Sequence, residues 1–231
     1  MKDYYTYEYY LMNSNNYESQ LLHAPGREYS SIPVSKSYAS HPNDIIFEIC
    51  NEKLISSVRS TRETTEKKME LRNVFRILHT SYLLEKEDND FHSYNPSAGG
   101  LYPIEFYVFL LNIDNVKSAI YHYHREKGIL SYIREIDLDF IPETNKFVTK
   151  SNFFIVMTGK VDNILFKYGS RGYRYLLIEA GHIGQNLKIV SDYLNIKNRA
   201  IGGFYEKKLV DILQLPKTEI PLYLYCFMDI E

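Results

Sequence analysis

Lys167, Tyr168 and Gly169 open the stretch KYGSRGYRY. A phenol is a weak base partner by itself, but an adjacent ammonium favours its phenolate. A Lys-Tyr pair is therefore a reasonable proton acceptor near neutral pH. The competing reading is a surface lysine beside a packed tyrosine at a basic, aromatic helix entrance. Composition alone does not separate the two, and it assigns no role to Arg171 or Arg174.

Three further segments carry residues suited to chemistry. NPSAGGLYP (95–103) places small residues and two glycines between stiffening prolines, so backbone N–H groups can approach a ligand closely. Taken alone, the segment reads more simply as a plain glycine-rich turn. VRSTRE (58–63) supplies forked cations, Arg59 and Arg62, with the hydroxyls of Ser60 and Thr61, a sensible phosphate cradle or else a solvated basic helix face. AIGGFYEKKL (200–209) sets a glycine pair before a helix start, where free N–H groups can meet an anion or a polar ring edge. Glu179 and His182 share a helix face, but a metal needs a third protein ligand and none is spaced nearby. His182 reads instead as a buried, hydrogen-bonded helix residue. His122 and His124 alternate on one strand face. No GxSxG, P-loop or Rossmann glycine pattern occurs.

Several elements must position these segments. Leu71, Val74, Phe75, Leu78 and Tyr82 predict a helix over 66–84, with Glu66 and Glu70 in its first turns. Residues 43–57 also read as helical, and EKEDNDF (85–91) as an exposed charged loop. IEFYVFLL (104–111) and NFFIVMTG (152–159) read as strands covered on both faces. AIYHYH (119–124) and ILSYI (129–133) flank Lys127-Gly128 as a hairpin. The strongest helix spans 171–194, with a face of Tyr173, Leu176, Leu177, Ala180, Gly184, Leu187, Val190 and Leu194. A helix over 206–215 stops before Pro216, and PLYLYCFM (221–228) is a last strand. Helices and strands mix without strict alternation, so an α+β fold is expected, with residues 1–42 as an arm and 43–231 as one domain.

Composition sets the outer limits. The 231-residue chain has 45% hydrophobic and 24% charged residues, an ordinary globular balance that can bury a core without staples. A net charge of −2 gives no general attraction to nucleic acid or anionic membrane. Cys50 and Cys226 lack metal or disulfide-framework spacing and read as buried thiols. No apolar run approaches the roughly 20 residues that span a bilayer, and the polar N-terminus lacks a signal-peptide core, so a cytoplasmic protein is expected. The 22 tyrosines, five of them within YYTYEYY (4–10), suit half-wet clefts and interfaces as well as an edge strand.

The order of the pieces is more specific than any one of them. VRSTR, PSAGGLYP running into a strand, KYGSRGYRYLLIEAGHIGQNL, IGGFYEKKLVDILQLP and PLYLY together resemble the SagB/ThcOx branch of the nitroreductase superfamily, over roughly residues 54–228. This branch contains flavin subunits of thiazole/oxazole-forming peptide synthetases. The resemblance implies a nitroreductase-like α+β fold, with a mostly antiparallel central sheet flanked by helices. It also implies a homodimer and FMN at the subunit interface. By position, Arg59, Ser60 and Arg62 match the N-terminal flavin-binding motif, with Val58 where the family often has arginine. Pro96, Ser97, Ala98 and Gly99 match the loop under the flavin ring, and Gly202 and Gly203 a segment near it. Lys167 and Tyr168 match the catalytic pair. The implied activity is oxidation of thiazoline or oxazoline rings in a ribosomally made precursor peptide, in company with an ATP-dependent cyclodehydratase. Two other functions suit the same chain: NAD(P)H-dependent flavin reduction of nitro, quinone or alkene compounds, and a non-catalytic scaffold role in a peptide-modifying complex.

Overall fold

The computed structural model describes residues 60–87 and 90–230. The expected arm, the helix over 43–57, Cys50 and Arg59 lie outside the described residues. At the centre is a six-stranded sheet of β3 (Ile104–Leu110), β4 (Ala119–His124), β5 (Ile129–Arg134), β6 (Phe153–Lys160), β7 (Lys197–Ile201) and β8 (Glu219–Met228). Its order is β5-β4-β3-β6-β8-β7, and every neighbouring pair is antiparallel.

The two expected core strands hold the middle. β3 and β6 pair over seven residues, from Ile104↔Gly159 to Leu110↔Phe153, and both are almost wholly buried. That burial on both faces is why they read as unbroken apolar runs. One face carries helices α1 (Leu71–Ser81), α2 (Val161–Tyr168) and α3 (Arg171–Tyr193) over a core that includes Leu78, Tyr82, Phe106, Met157, Leu176, Ile183 and Leu187. The other face is covered by α4 (Glu206–Leu213) and a 3-10 segment over Glu143–Lys150. Its core includes Phe109, Phe140, Phe154, Leu209 and Leu224. The α+β architecture with helices flanking an antiparallel sheet is as expected.

Several elements differ from the sequence expectation. Helix α1 is shorter than 66–84, because Met69 leaves the helical path to form a parallel bridge with Ile113. Its N–H donates to the Asn112 carbonyl. Residues 85–91 are not a loop throughout: β1 (Glu85–Glu87) and β2 (Asp90–His92) pair antiparallel. Ser60 to Glu63 carry no helix. On α3, Leu177 is exposed and Ile183 takes its place in the core. His182 is exposed rather than buried, and the buried polar residue of this face is Glu179. β7 has no counterpart in the sequence reading, since Lys197-Asn198-Arg199 lacks an apolar pattern. Cys226 is fully buried, and burial pushes its thiol up to about 12. No helix among the described residues is long and apolar enough to cross a membrane.

Candidate active site

Helix α2, absent from the sequence expectation, decides where the Lys-Tyr pair stands. Lys167 and Tyr168 form the last turn of α2 rather than the entrance of α3. The helix stops there because Gly169 adopts φ 59°, a conformation that favours glycine, while its N–H closes the helix on the Leu165 carbonyl at 2.8 Å. The Tyr168 ring is half-buried, packs against the core and meets Tyr175 edge-on at 5.1 Å. The ring is therefore held in place beside the exposed Lys167.

The glycine loop meets this pair. Residues 98–100 form a short 3-10 turn in which Gly99 takes φ 64°. A Cβ built on Gly99 would lie 2.5 Å from the Tyr168 hydroxyl and closer still to Lys167 Nζ. Lys167 Nζ points at the Gly99 carbonyl, 3.4 Å away. Two segments 68 residues apart in sequence thus converge on one backbone atom, an ammonium and a phenol.

The loop is anchored beneath this contact. Ser97 Oγ donates to Glu179 Oε2 at 2.6 Å and accepts from the Tyr102 N–H at 2.9 Å. Its hydroxyl is thus engaged inside the protein. Pro96 and Gly99 are exposed and Ala98 half-buried. Beside the loop, a polar cleft of about 640 Å³ is lined by Gly99, Gly100, Glu105, Arg125 and Lys160 among others. Burial alone would raise the Glu105 carboxyl. Hydrogen bonds from His122 at 2.9 Å and Lys160 at 2.6 Å, with the nearby Arg125 guanidinium, instead pull it down to about 2. Glu105 carries no role in the sequence expectation, yet an acidic residue within an apolar strand is a misfit that marks it.

The remaining predicted residues form a second group beside β7. Ser60 and Arg62 are exposed, and Thr61 between them donates its N–H to the Asn198 carbonyl of β7 at 3.4 Å. Gly202 and Gly203 follow the end of β7, and the Gly203 carbonyl accepts from Asn145 Nδ2 at 2.8 Å. No hydrogen bond joins this group to the Gly99–Lys167–Tyr168 group among the described residues. The kinds of group present suit a flavin mononucleotide. Cβ atoms built on Gly100 and Gly202 would meet nothing within 4 Å, leaving open backbone for a flat ring. Ser60 and Arg62 offer a hydroxyl and a guanidinium of the type that binds phosphate. Among the described residues no group of three or more His, Cys, Asp or Glu could hold a metal ion.

Comparison with known proteins agrees with this architecture. The chain is 29% identical over 185 residues to the nitroreductase-type protein MJ1384 of Methanocaldococcus jannaschii, covering 78% of this chain and 90% of that protein. It is 30% identical over 145 residues to the microcin B17-processing protein McbC of Escherichia coli, covering 58% of this chain and about half, 53%, of McbC. Among solved structures, a chain of the E. coli microcin synthetase McbBCD complex with truncated pro-MccB17 bound superposes with a TM-score of 0.76. The match is at 21% identity and covers 100% of this chain and 94% of that one. Residues 55–227 match the Nitroreductase family, and the chain belongs to that family.

Proposed function

We propose that the chain is an FMN-dependent dehydrogenase of the SagB/ThcOx type that oxidises thiazoline or oxazoline rings in a ribosomally made peptide to thiazoles or oxazoles. The observation that carries this reading is the convergence of the Gly99 backbone with Lys167 Nζ and the Tyr168 hydroxyl. The similarity to McbC supports the peptide-oxidising branch.

Aromatising an azoline removes a proton from Cα and a hydride from Cβ. In this proposal the Tyr168 oxygen takes the Cα proton, and its ring is held against Tyr175 so that the oxygen faces the glycine loop. The Lys167 ammonium, next to that oxygen, offsets the negative charge that develops as the proton leaves. Arg59, Ser60 and Arg62 would hold the flavin phosphate, and residues 96–99 with Gly202 and Gly203 would supply backbone to its ring. When bound, FMN supplies the two-electron acceptor for the Cβ hydride, regenerated by molecular oxygen. The two residue groups are completed across a homodimer, and the peptide arrives from an ATP-dependent cyclodehydratase in the cytoplasm. The chain of similar fold in the McbBCD complex has truncated pro-MccB17 bound in that assembly, which supports a multi-subunit setting with a peptide.

Replacing Lys167 or Tyr168 tests the assignment. Either variant should keep FMN and lose azoline oxidation; a variant with both intact would refute these roles. The extensive match to MJ1384 favours a second reading, NAD(P)H-driven reduction of a nitro, quinone or alkene substrate. Rapid flavin bleaching by NADPH in place of peptide oxidation would select it.

A further inference from the structure

We propose that Glu179 and Asn186 are positioning residues that clamp the glycine loop from beneath and so set the Gly99 surface on which Lys167, Tyr168 and the flavin meet. The flavin part of this inference rests on the function proposed above; the loop part does not.

The two residues lie seven apart on α3 and therefore share one face. Glu179 is 1% exposed. Its two oxygens accept from different elements: Oε2 from Ser97 Oγ in the loop at 2.6 Å, and Oε1 from the Tyr82 hydroxyl beyond α1 at 3.2 Å. Asn186 Nδ2 donates to Asn95 Oδ1 at 2.5 Å, and Asn95 Nδ2 donates to the Ser81 carbonyl at 3.1 Å. The start of the loop is thus tied to both α1 and α3.

The chemical type of Glu179 matters. An ionised carboxylate only accepts, so it directs the single Ser97 proton towards itself and leaves the Ser97 lone pairs for the Tyr102 N–H. That second bond restrains an unfavourable backbone. Tyr102 has φ 45°, uncommon for a residue with a side chain. Three bonds hold it there: its N–H to Ser97 Oγ, its hydroxyl accepting from the Ser93 N–H at 3.1 Å, and its carbonyl accepting from Arg125 Nη2 at 3.1 Å. Burial pushes the Glu179 carboxyl up, a tendency the Ser97 and Tyr82 bonds oppose. Packing alone does not call for a carboxylate here, since a buried charge carries a desolvation cost. Orienting Ser97 does. A glutamine has one acceptor oxygen where the carboxylate has two, so it cannot take the Ser97 and Tyr82 protons on separate oxygens as Glu179 does.

Hydrogen exchange on the full chain without flavin tests the clamp directly. In Glu179→Gln and in Ser97→Ala, the Tyr102 amide should exchange about tenfold faster, while amides of β3 and β6 keep their rates. The double variant should add less than about twofold, because both changes reach the Tyr102 amide through the one Ser97 hydroxyl. Asn186→Ala should speed exchange at residues 93–95. Titration of the apoprotein with FMN should then show about tenfold weaker binding in Glu179→Gln, with the visible flavin band shifted towards that of free FMN. An unchanged Tyr102 amide in Ser97→Ala overturns the clamp, and so does an additive double variant; Ser97→Ala decides the matter even if Glu179→Gln does not fold. Wild-type FMN affinity in variants with a loosened loop overturns the link to the flavin. A wild-type chain that takes up no FMN removes the proposed function while the exchange result still stands or fails by itself.

Discussion

Gly99→Ala is the most selective perturbation of the candidate site. Two effects add. Gly99 holds φ 64°, and a left-handed conformation costs a residue with a Cβ about 1–2 kcal/mol. For a chain of this size that lowers Tm by about 2–8 °C. The added Cβ would also stand 2.5 Å from the Tyr168 hydroxyl, which must retreat about 0.9 Å to reach the 3.4 Å of an ordinary contact. The atoms met are the far ends of Lys167 and Tyr168, so the pair yields before the backbone does. A displacement of about 1 Å at a reacting group costs on the order of a hundredfold in rate. The expected result is a folded variant, slightly less stable, whose azoline oxidation falls about a hundredfold. Thermal melting and single-turnover oxidation of an azoline-bearing peptide measure the two effects separately. A variant with the expected Tm loss but wild-type turnover would show the Gly99 contact to be irrelevant to chemistry.

Other outcomes follow from the same geometry. Tyr168→Phe keeps the ring contact with Tyr175, so it should retain FMN and fold while losing about 10²–10⁴-fold in oxidation, measured by peptide mass against time. Glu105 titrates near 2 in the fold, below its ordinary 4.5. Its contribution to stability is therefore fully present above about pH 4.5 and is lost as pH falls towards 2. Glu105→Gln should cost about 2 kcal/mol at neutral pH and flatten that acid limb in a circular-dichroism titration; an unaltered limb would count against the network. Leu176→Ala, in the core beneath α3, should destabilise by about 2–5 kcal/mol in urea unfolding with the m-value unchanged. The Cys226 thiol should resist maleimide until the protein unfolds.

Much of the frame was legible because its signals are local. The runs at 104–111 and 152–159 are apolar throughout, and the structure buries β3 and β6 on both faces. The period of 171–194 marks α3, and Lys127-Gly128 marks the turn between β4 and β5. What escaped depends on tertiary contacts. Helix α2 is only eight residues long and too short to declare a period, yet it carries Lys167 and Tyr168. β7 is polar in sequence and is held by pairing with β8 and by the buried Asn198 side chain. His182 and Glu179 share a helix, and their relative burial follows from which side meets the glycine loop, something spacing alone does not reveal. The approach of Gly99 to the pair is likewise invisible in sequence, because 68 residues separate the partners.

Azoline oxidation at this site is read directly by mass spectrometry of a thiazoline-bearing peptide incubated aerobically with the FMN-loaded protein. Wild-type protein should remove about 2 Da per ring, and Tyr168→Phe carrying the same FMN should remove none. A flavin-loaded wild-type protein that leaves the ring mass unchanged, yet is bleached at once by NADPH, would contradict it.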